Sequence, residues 1–481
     1  MVEGIADAFA TFIDRYGRFF RTKTRVCATA AGRYLRGLAQ AADCTFAAMA
    51  TVVDAGCAQQ FQHFISNSPW DHEAVVAQIG RDADRLLGGK PTSSLIIDES
   101  SFAKQGDRSV GVARQWSGRL GKVDNCQVAV FGVLAFRLRS ASWPRVRLAA
   151  RQRARTLGTK RRVLSDGQRH APVDMRLYLP KAWIDDPARC EQAGIPPEAR
   201  TLTSKSEHAL DIVRQARARG MRFEWVGVDA GYGKEPAFLR ALDEMNEVFV
   251  ADVHRTQRIW TERPELAVPP SQPGRGRPAK KLRASGEPVT VENPVKRFGS
   301  GDWTRCVLRD STRGELRVDL AHRRVWVWDG EEDAPRCWHL IVRREVKSEK
   351  TVKYTLSNAP ENTSLLHLGQ MQGQRYWVER TFEDAKGECG LADYQALGWR
   401  AWHHHVTMVM LAMLFIAEQR VAHQPGLALL TPRDIVEMLQ ETLPRKPEGK
   451  DALVARINQR HERRRGAIAS RFRTQRQEAP S

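Results

Sequence analysis

Arg375, Glu379 and Lys386 stand at i, i+4 and i+11 in the run Arg375-Tyr376-Trp377-Val378-Glu379-Arg380-Thr381-Phe382-Glu383-Asp384-Ala385-Lys386, a spacing that places all three on one face of a helix. A carboxylate flanked by two fixed cations suits a metal ion and a phosphodiester held side by side, the metal on the acid and the phosphate on the bases. The plainer alternative is a solvated, salt-bridged helix surface, because i,i+4 charge pairs are ordinary helix decoration. Two distant aspartates favour the chemical reading. Asp98 ends the apolar run Ser94-Leu95-Ile96-Ile97, and Asp229 follows Trp225-Val226-Gly227-Val228 and precedes Ala230-Gly231-Tyr232-Gly233. Both read as carboxylates delivered at strand ends, with a turn or a helix N-cap as the alternative for each. Three carboxylates from two strands and a helix could hold two Mg²⁺ ions about 3.5–4 Å apart, leaving water and a phosphate to complete the coordination.

The elements that must position these residues can be read from the pattern. Residues 1–90 look all-helical, with Phe9, Phe12, Ile13, Tyr16, Phe19 and Phe20 near a 3.6-residue period and a helix start at Asn67-Ser68-Pro69-Trp70-Asp71-His72. Residues 91–255 turn to strands at Leu95, Val128–Phe136 and Met175–Leu179, with a helix from Lys205 to Arg219 leading to the strand before Asp229. Residues 256–365 begin with the basic loop Gln272-Pro273-Gly274-Arg275-Gly276-Arg277-Pro278-Ala279-Lys280-Lys281. Short strands follow at Thr304–Leu308, Leu316–Leu320, Arg324–Trp328 and Trp338–Val342, which read as an inserted β subdomain. Residues 366–425 carry Glu379 and the apolar stretch Val406–Ala417, and 426–481 form a basic helical tail. The apolar stretch falls short of the ~20 residues that span a bilayer and reads as a buried core helix, so no membrane partner is expected.

These motifs resemble the DDE insertion-sequence transposases, in the hairpin-forming branch with a Tyr-x2-Arg-x3-Glu-x6-Lys signature. Arg375, Glu379 and Lys386 fit its last three positions, and Gln372 stands where the tyrosine would be, with Tyr376 as a nearby aromatic. Asp229, Gly231 and Tyr232 match the Asp-x-Gly-Tyr motif, and Asp98 matches the first aspartate. The stretches from Lys104 to Gln127 and from Arg176 to Trp183 add to the likeness, which runs from about Asp98 to about Leu414. The resemblance implies an α/β, ribonuclease H-like catalytic domain with an inserted β subdomain and a helical N-terminal DNA-binding domain. It implies Asp98, Asp229 and Glu379 as catalytic metal ligands for two Mg²⁺ ions, or for Mn²⁺ in their place. Arg375, Lys386, Tyr232 and Tyr376 are then DNA contacts, joined by Arg275 and Arg277 if the Arg-Gly-Arg-Pro core acts like an AT-hook in a minor groove; a flexible basic linker is the alternative. The implied partners are transposon ends and target DNA, bound by a homodimer in a bacterial, nucleoid-associated cytoplasmic setting. The alternatives are a transposase-derived DNA-binding regulator and a nuclease of the same fold without strand transfer.

Composition supports a polyanionic partner independently: 76 Lys and Arg against 56 acids give a net charge of +20. The cations cluster, with nine Lys or Arg and one acid from Arg145 to Arg169, and eleven against four from Arg445 to Ser481. Binding by counterion release would use such clusters and weaken steeply with salt. Eight cysteines without a C-x-x-C pair argue for reduced thiols, and His403-His404-His405 lacks metal-site spacing. No G-x-S-x-G or H-E-x-x-H motif and no complete P-loop supports a hydrolase or nucleotide-driven motor.

Overall fold

β-branched and apolar residues at Leu95, Ile96 and Ile97 start the first strand, and the rest of the sheet is assembled around it. The computed structural model describes residues 4–446 apart from 23–24, 55–56, 119, 138–167, 271–279, 312–313, 347 and 424–429, together with scattered positions from 450 to 469. Arg275 and Arg277, the basic stretch before residue 168 and most of the basic tail therefore lie outside the described residues. Strands β1 (Ser94–Ala103), β2 (Ala113–Ser117), β3 (Lys122–Arg137), β4 (Gln168–Leu177), β5 (Trp225–Val228) and β6 (Phe249–Val253) carry the expected positions. β3 runs antiparallel to β1, β2 and β4, while β5 is parallel to β1 and β6 is parallel to β5. The two aspartates thus lie on neighbouring strands. Asp98 is in the middle of β1 rather than at its end, because β3 continues to pair with that strand as far as Ala103.

The later strands are β7 (Thr304–Ser311), β8 (Gly314–Val327), β9 (Arg336–Glu345) and β10 (Ser348–Ser357), an antiparallel meander. They were expected as a β subdomain of their own, yet β10 pairs with β6 and the meander extends the central sheet to ten strands. The reason is the open edge of β6, whose buried Phe249, Val250 and Ala251 need a neighbour to satisfy the backbone. β8 is one strand where two short ones were expected. β10 was not foreseen at all, because Ser348-Glu349-Lys350-Thr351 offers no apolar alternation.

Helices α1 (Ile5–Tyr16), α2 (Ala28–Gln40), α3 (Phe46–Val52), α4 (Ala58–Ser66) and α5 (His72–Leu87) fill the N-terminal block, and Asp71 caps α5 by accepting from the backbone N–H groups of Glu73 and Ala74. The chain continues with α6 (Lys205–Ala218), α7 (Ala230–Gly233), α8 (Pro236–Glu244), α9 (Leu365–Gln374), α10 (Tyr376–Glu388), α11 (Trp399–Ala422) and α12 (Pro432–Thr442). The apolar stretch lies in α11, which is long and apolar enough to cross a membrane but is buried without a break from Ala401 to Ala417. The N-terminal block does not stand apart. Phe9 and Phe12 pack edge-on against Phe415 with ring centres 4.8 and 5.3 Å apart, Tyr34 bonds the His405 ring at 2.8 Å, and Trp70 stacks on His404. The three histidines are core residues, and burial pushes His404 and His405 down to about 3, which keeps them neutral.

Side-chain alternation gives the sheet two distinct faces. Leu95, Ile97, Val226, Val228, Phe249 and Ala251 join the large core shared with the N-terminal helices. Ile96 instead packs with Trp377 and Val378 of α10, while Trp225 and Val250 pack with Leu368 and Met371 of α9. By the same parity Asp98, Asp229 and a third residue, Asp252, belong to the face that α9 and α10 cover.

The shared core has a measurable consequence. Phe415→Ala, which empties the site between α1 and α11, is expected to destabilise the whole chain by about 3–5 kcal/mol in one cooperative urea transition. A chain starting at Thr92 is expected to give no cooperative transition; separate transitions for block and sheet would contradict the shared core.

Candidate active site

Strand register sets the site. Leu95 pairs with Val226 and Ile96 with Gly227, so two residues further on Asp98 lies level with Asp229. Gly227 pairs with Val250 and Val228 with Ala251, so the next step brings Asp252 level with Asp229. Three aspartates therefore form a row across β1, β5 and β6. Gly231 of the motif and the neighbouring Gly233 leave room beside the row. A side chain at Gly231 would approach the Asp229 Oδ1 to 2.9 Å, and one at Gly233 would run into the Asp252 carbonyl oxygen, so α7 lies flat on β6 only with glycine there. Asp229 also caps α7, its Oδ1 accepting from the N–H groups of Gly231 and Tyr232 at 2.8 and 3.3 Å. The N-cap alternative thus holds for one oxygen of Asp229 alongside its place in the row.

Arg375 closes the row from the helix side. Its Nη1 lies 3.5 Å from Asp98 Oδ2, its Nε 3.2 Å from Asp252 Oδ2, and its Nη2 2.6 Å from Glu379 Oε1. The arginine is at the junction of α9 and α10, where the backbone bonds tighten to Arg375 N–Gln372 O and Val378 N–Arg375 O. The signature therefore spans two abutting helices rather than one continuous helix. Glu379 joins the cluster from the exposed side, with its side chain 49% accessible against 16% for Asp98 and Asp252. A cavity of about 460 Å³ opens beside Asp252, lined in part by His254, Arg255, Glu292 and Lys353.

One guanidinium faces four carboxylates here. Burial and the charge of Asp229 push Asp98 up to about 7 against the pull of Arg375. Burial opposes the charge on Arg375, yet Asp252, Asp98 and Glu379 outweigh it and raise its pKa. This surplus of buried negative charge, carried on oxygens alone, is the chemistry that a hard divalent cation neutralises, so the residue set fits Mg²⁺. It is not a finished cage. Among the described residues no three acids, histidines or cysteines already surround a common centre, and the Arg375 guanidinium bridges the acids instead.

The remaining expected contacts distribute differently. Lys386 donates to the Ser101 carbonyl at 2.9 Å and lies 5.1 Å from the Phe102 ring centre. Seven residues along α10 from Glu379, roughly 10 Å at helical rise, it does not join the cluster. Tyr232 is 2% exposed, so it cannot reach DNA in this arrangement; its hydroxyl is buried near Glu99, Asp98 and Asp229 without a hydrogen-bond partner. Tyr376 is 36% exposed and remains accessible to a ligand. Asp252 was missed by the sequence reading. Its one sequence signal is position, at the end of an apolar strand one crossover beyond Asp229.

The raised carboxyl of Asp98 ties stability to pH. The folded chain holds that proton more tightly than the unfolded chain, so the stabilisation is fully present below about pH 4 and lost as pH rises to about 7. Asp98→Asn removes this loss. In urea unfolding the variant is expected to gain on the parent from pH 4 to 7, by up to roughly 4 kcal/mol, and then to keep a constant lead; a lead independent of pH would mean that Asp98 is ionised throughout.

Comparison with known proteins now bears on the row of acids. A family described as "DDE superfamily endonuclease" matches residues 16–315. Over 354 residues, 73% of this chain and 72% of the relative, the chain is 24% identical to the "Probable transposase for insertion sequence element IS701" of Microchaete diplosiphon. Among solved structures it is similar to the piggyBac transposase in its cryo-EM synaptic complex with hairpin DNA, with 10% identity and a TM-score of 0.38 over 94% of this chain and 82% of that one, a likeness too loose to bear on fold or site. The family match covers more than half of the sequence and includes Asp98, Asp229 and Asp252. The chain belongs to the DDE superfamily endonuclease family.

Proposed function

We propose that the chain is a DNA transposase that cuts at the ends of a mobile element and joins them to target DNA. The observation that carries this reading is the in-register row of aspartates facing Glu379 and Arg375, in a chain of the DDE endonuclease family with a transposase among its relatives. The strand order β4-β3-β1-β5-β6, with an antiparallel first half and a parallel second half, supports a ribonuclease H-like core, in which two central strands present acids side by side.

Asp98, Asp229 and Glu379 would hold Mg²⁺. When bound, such ions supply an activated water and neutralise charge developing on the phosphodiester oxygens. The chain's own groups account for the rest. Asp98 would give up its proton to bind as a carboxylate, so binding strengthens as pH rises to about 7 and levels off above it. Arg375, released from Asp98 and Glu379, turns two Nη groups toward a phosphate and binds it as a fork. Tyr376, exposed one residue on, would lie against the adjoining sugar or base. Water attack on the terminal phosphodiester would free a 3′-OH, whose attack on the opposite strand would form a hairpin and release the flanking DNA; hydrolysis of the hairpin would return the 3′-OH for target joining, the course suggested by the resemblance that Arg375 and Glu379 carry at signature spacing. The excess of Lys and Arg would supply affinity without sequence information.

Asp98→Asn, Asp229→Asn and Glu379→Gln are each expected to reduce Mg²⁺-dependent cleavage of end DNA by ~10³-fold or more while leaving gel-shift affinity within a few-fold of the parent. Full cleavage by any one of the three removes that residue from the assignment. Pre-cleaved ends supplied to the parent should yield strand-transfer products; cleavage without joining would point to a nuclease, and specific binding without either reaction to a regulator. Arg375→Ala is expected to slow cleavage and flatten the dependence of end binding on salt, whereas Lys386→Ala, with its amine on the Ser101 carbonyl, should leave that slope unchanged.

A further inference from the structure

Asp252 is held at both of its carboxylate oxygens. Its Oδ2 takes Arg375 Nε at 3.2 Å, and its Oδ1 accepts the Thr355 hydroxyl at 2.6 Å from the paired position on β10. The Thr355 oxygen in turn accepts from Nε2 of Gln372, and both side chains are buried, at 0% and 4% exposure. Gln372 stands where the resembling signature has tyrosine. It points into the protein, and through Thr355 it fixes an acid.

The guanidinium makes this arrangement directional. Its five N–H donors form a rigid planar fork. Nε is turned to Asp252, while the two Nη groups are turned to Asp98 and Glu379, the acids assigned above to the cations. If cations occupy those acids, the Nη groups lose their partners but Nε does not. We propose that Asp252, locked by Thr355 and Gln372, is the positioning residue for Arg375: it keeps the guanidinium anchored through Nε, so that the arginine yields Asp98 and Glu379 to the cations and presents its Nη groups to the scissile phosphate. This inference rests on the proposed function.

The test uses the full-length protein and Mn²⁺ as the probe, with affinity read by electron paramagnetic resonance in the absence of turnover. In Asp252→Asn the guanidinium loses its anchor and falls back on Asp98 and Glu379, where it competes with the ion. The Mn²⁺ dissociation constant is expected to rise about tenfold. The defect should vanish in the background of Arg375→Ala, so that the double variant binds Mn²⁺ as the Arg375→Ala single variant does. Thr355→Val should weaken Mn²⁺ binding in the same Arg375-dependent way, whereas Thr355→Ser, which keeps the hydroxyl, should match the parent. These threonine variants decide the matter if Asp252→Asn fails to fold. An Asp252→Asn affinity equal to the parent's, or a loss of the same size with and without Arg375, would overturn the inference. Mn²⁺ binding that depends on Asp98 but not on Asp252 would overturn this inference alone, whereas a parent protein that binds no Mn²⁺ would overturn the proposed function with it.

Discussion

The crowding of like charge on one face of the sheet is the constraint on which the rest of the site depends. Parallel pairing of β1, β5 and β6 brings Asp98, Asp229 and Asp252 level, and neighbouring strands lie only ~4.8 Å apart. Carboxylates at such spacing repel unless a cation stands among them, and the raised pKa of Asp98 registers that repulsion together with its burial. Arg375 is the cation that bridges Asp98, Asp252 and Glu379. Its position at the junction of α9 and α10 is therefore an electrostatic requirement as well as a packing one. A catalytic ion would take over the same neutralising role, so Arg375 is best understood as holding the acids together and being exchanged from two of them.

Packing on both sides of the sheet supports this geometry. On the face of the acids, Trp377 and Val378 of α10 seat against Ile96, and Leu368 and Met371 of α9 seat against Trp225 and Val250. These contacts fix where Arg375 and Glu379 enter. On the other face the N-terminal helices and α11 form the larger core, anchored by Phe9, Phe12 and Phe415. The meander from β7 to β10 does more than decorate the insertion, because β10 closes the edge of β6 and supplies Thr355 to Asp252.

Much of this was legible in the sequence, and the rest was hidden for identifiable reasons. Apolar runs ending in Asp98 and Asp229 announce their strands, and i,i+4 spacing announces the contact between Arg375 and Glu379. Asp252 carries no motif; its importance comes from the β5–β6 register, which no local pattern encodes. Helical periodicity cannot show that the helix breaks at Arg375, since the residue keeps helical dihedrals on both sides of the break. Tyr232 matches a motif but is buried, because a motif specifies residue type and leaves solvent access to the packing of α7 against β6. Lys386 matches the spacing of a signature, yet the length of α10 carries it down β1 to the Ser101 carbonyl. The merging of the insertion with the central sheet depends on the edge of β6, a demand made by the assembled backbone rather than by any segment.

On the proposed function, the acids around Arg375 exchange that guanidinium for divalent cations when DNA is engaged. Anomalous diffraction from crystals of the protein bound to end DNA and soaked in Mn²⁺ tests it most directly. Manganese peaks are expected at the carboxylates of Asp98, Asp229 and Glu379, with Arg375 withdrawn from Asp98 and Glu379 and its Nη groups on a DNA phosphate. Manganese absent from these acids, with Arg375 still bridging Asp98 and Glu379 beside bound DNA, would contradict it.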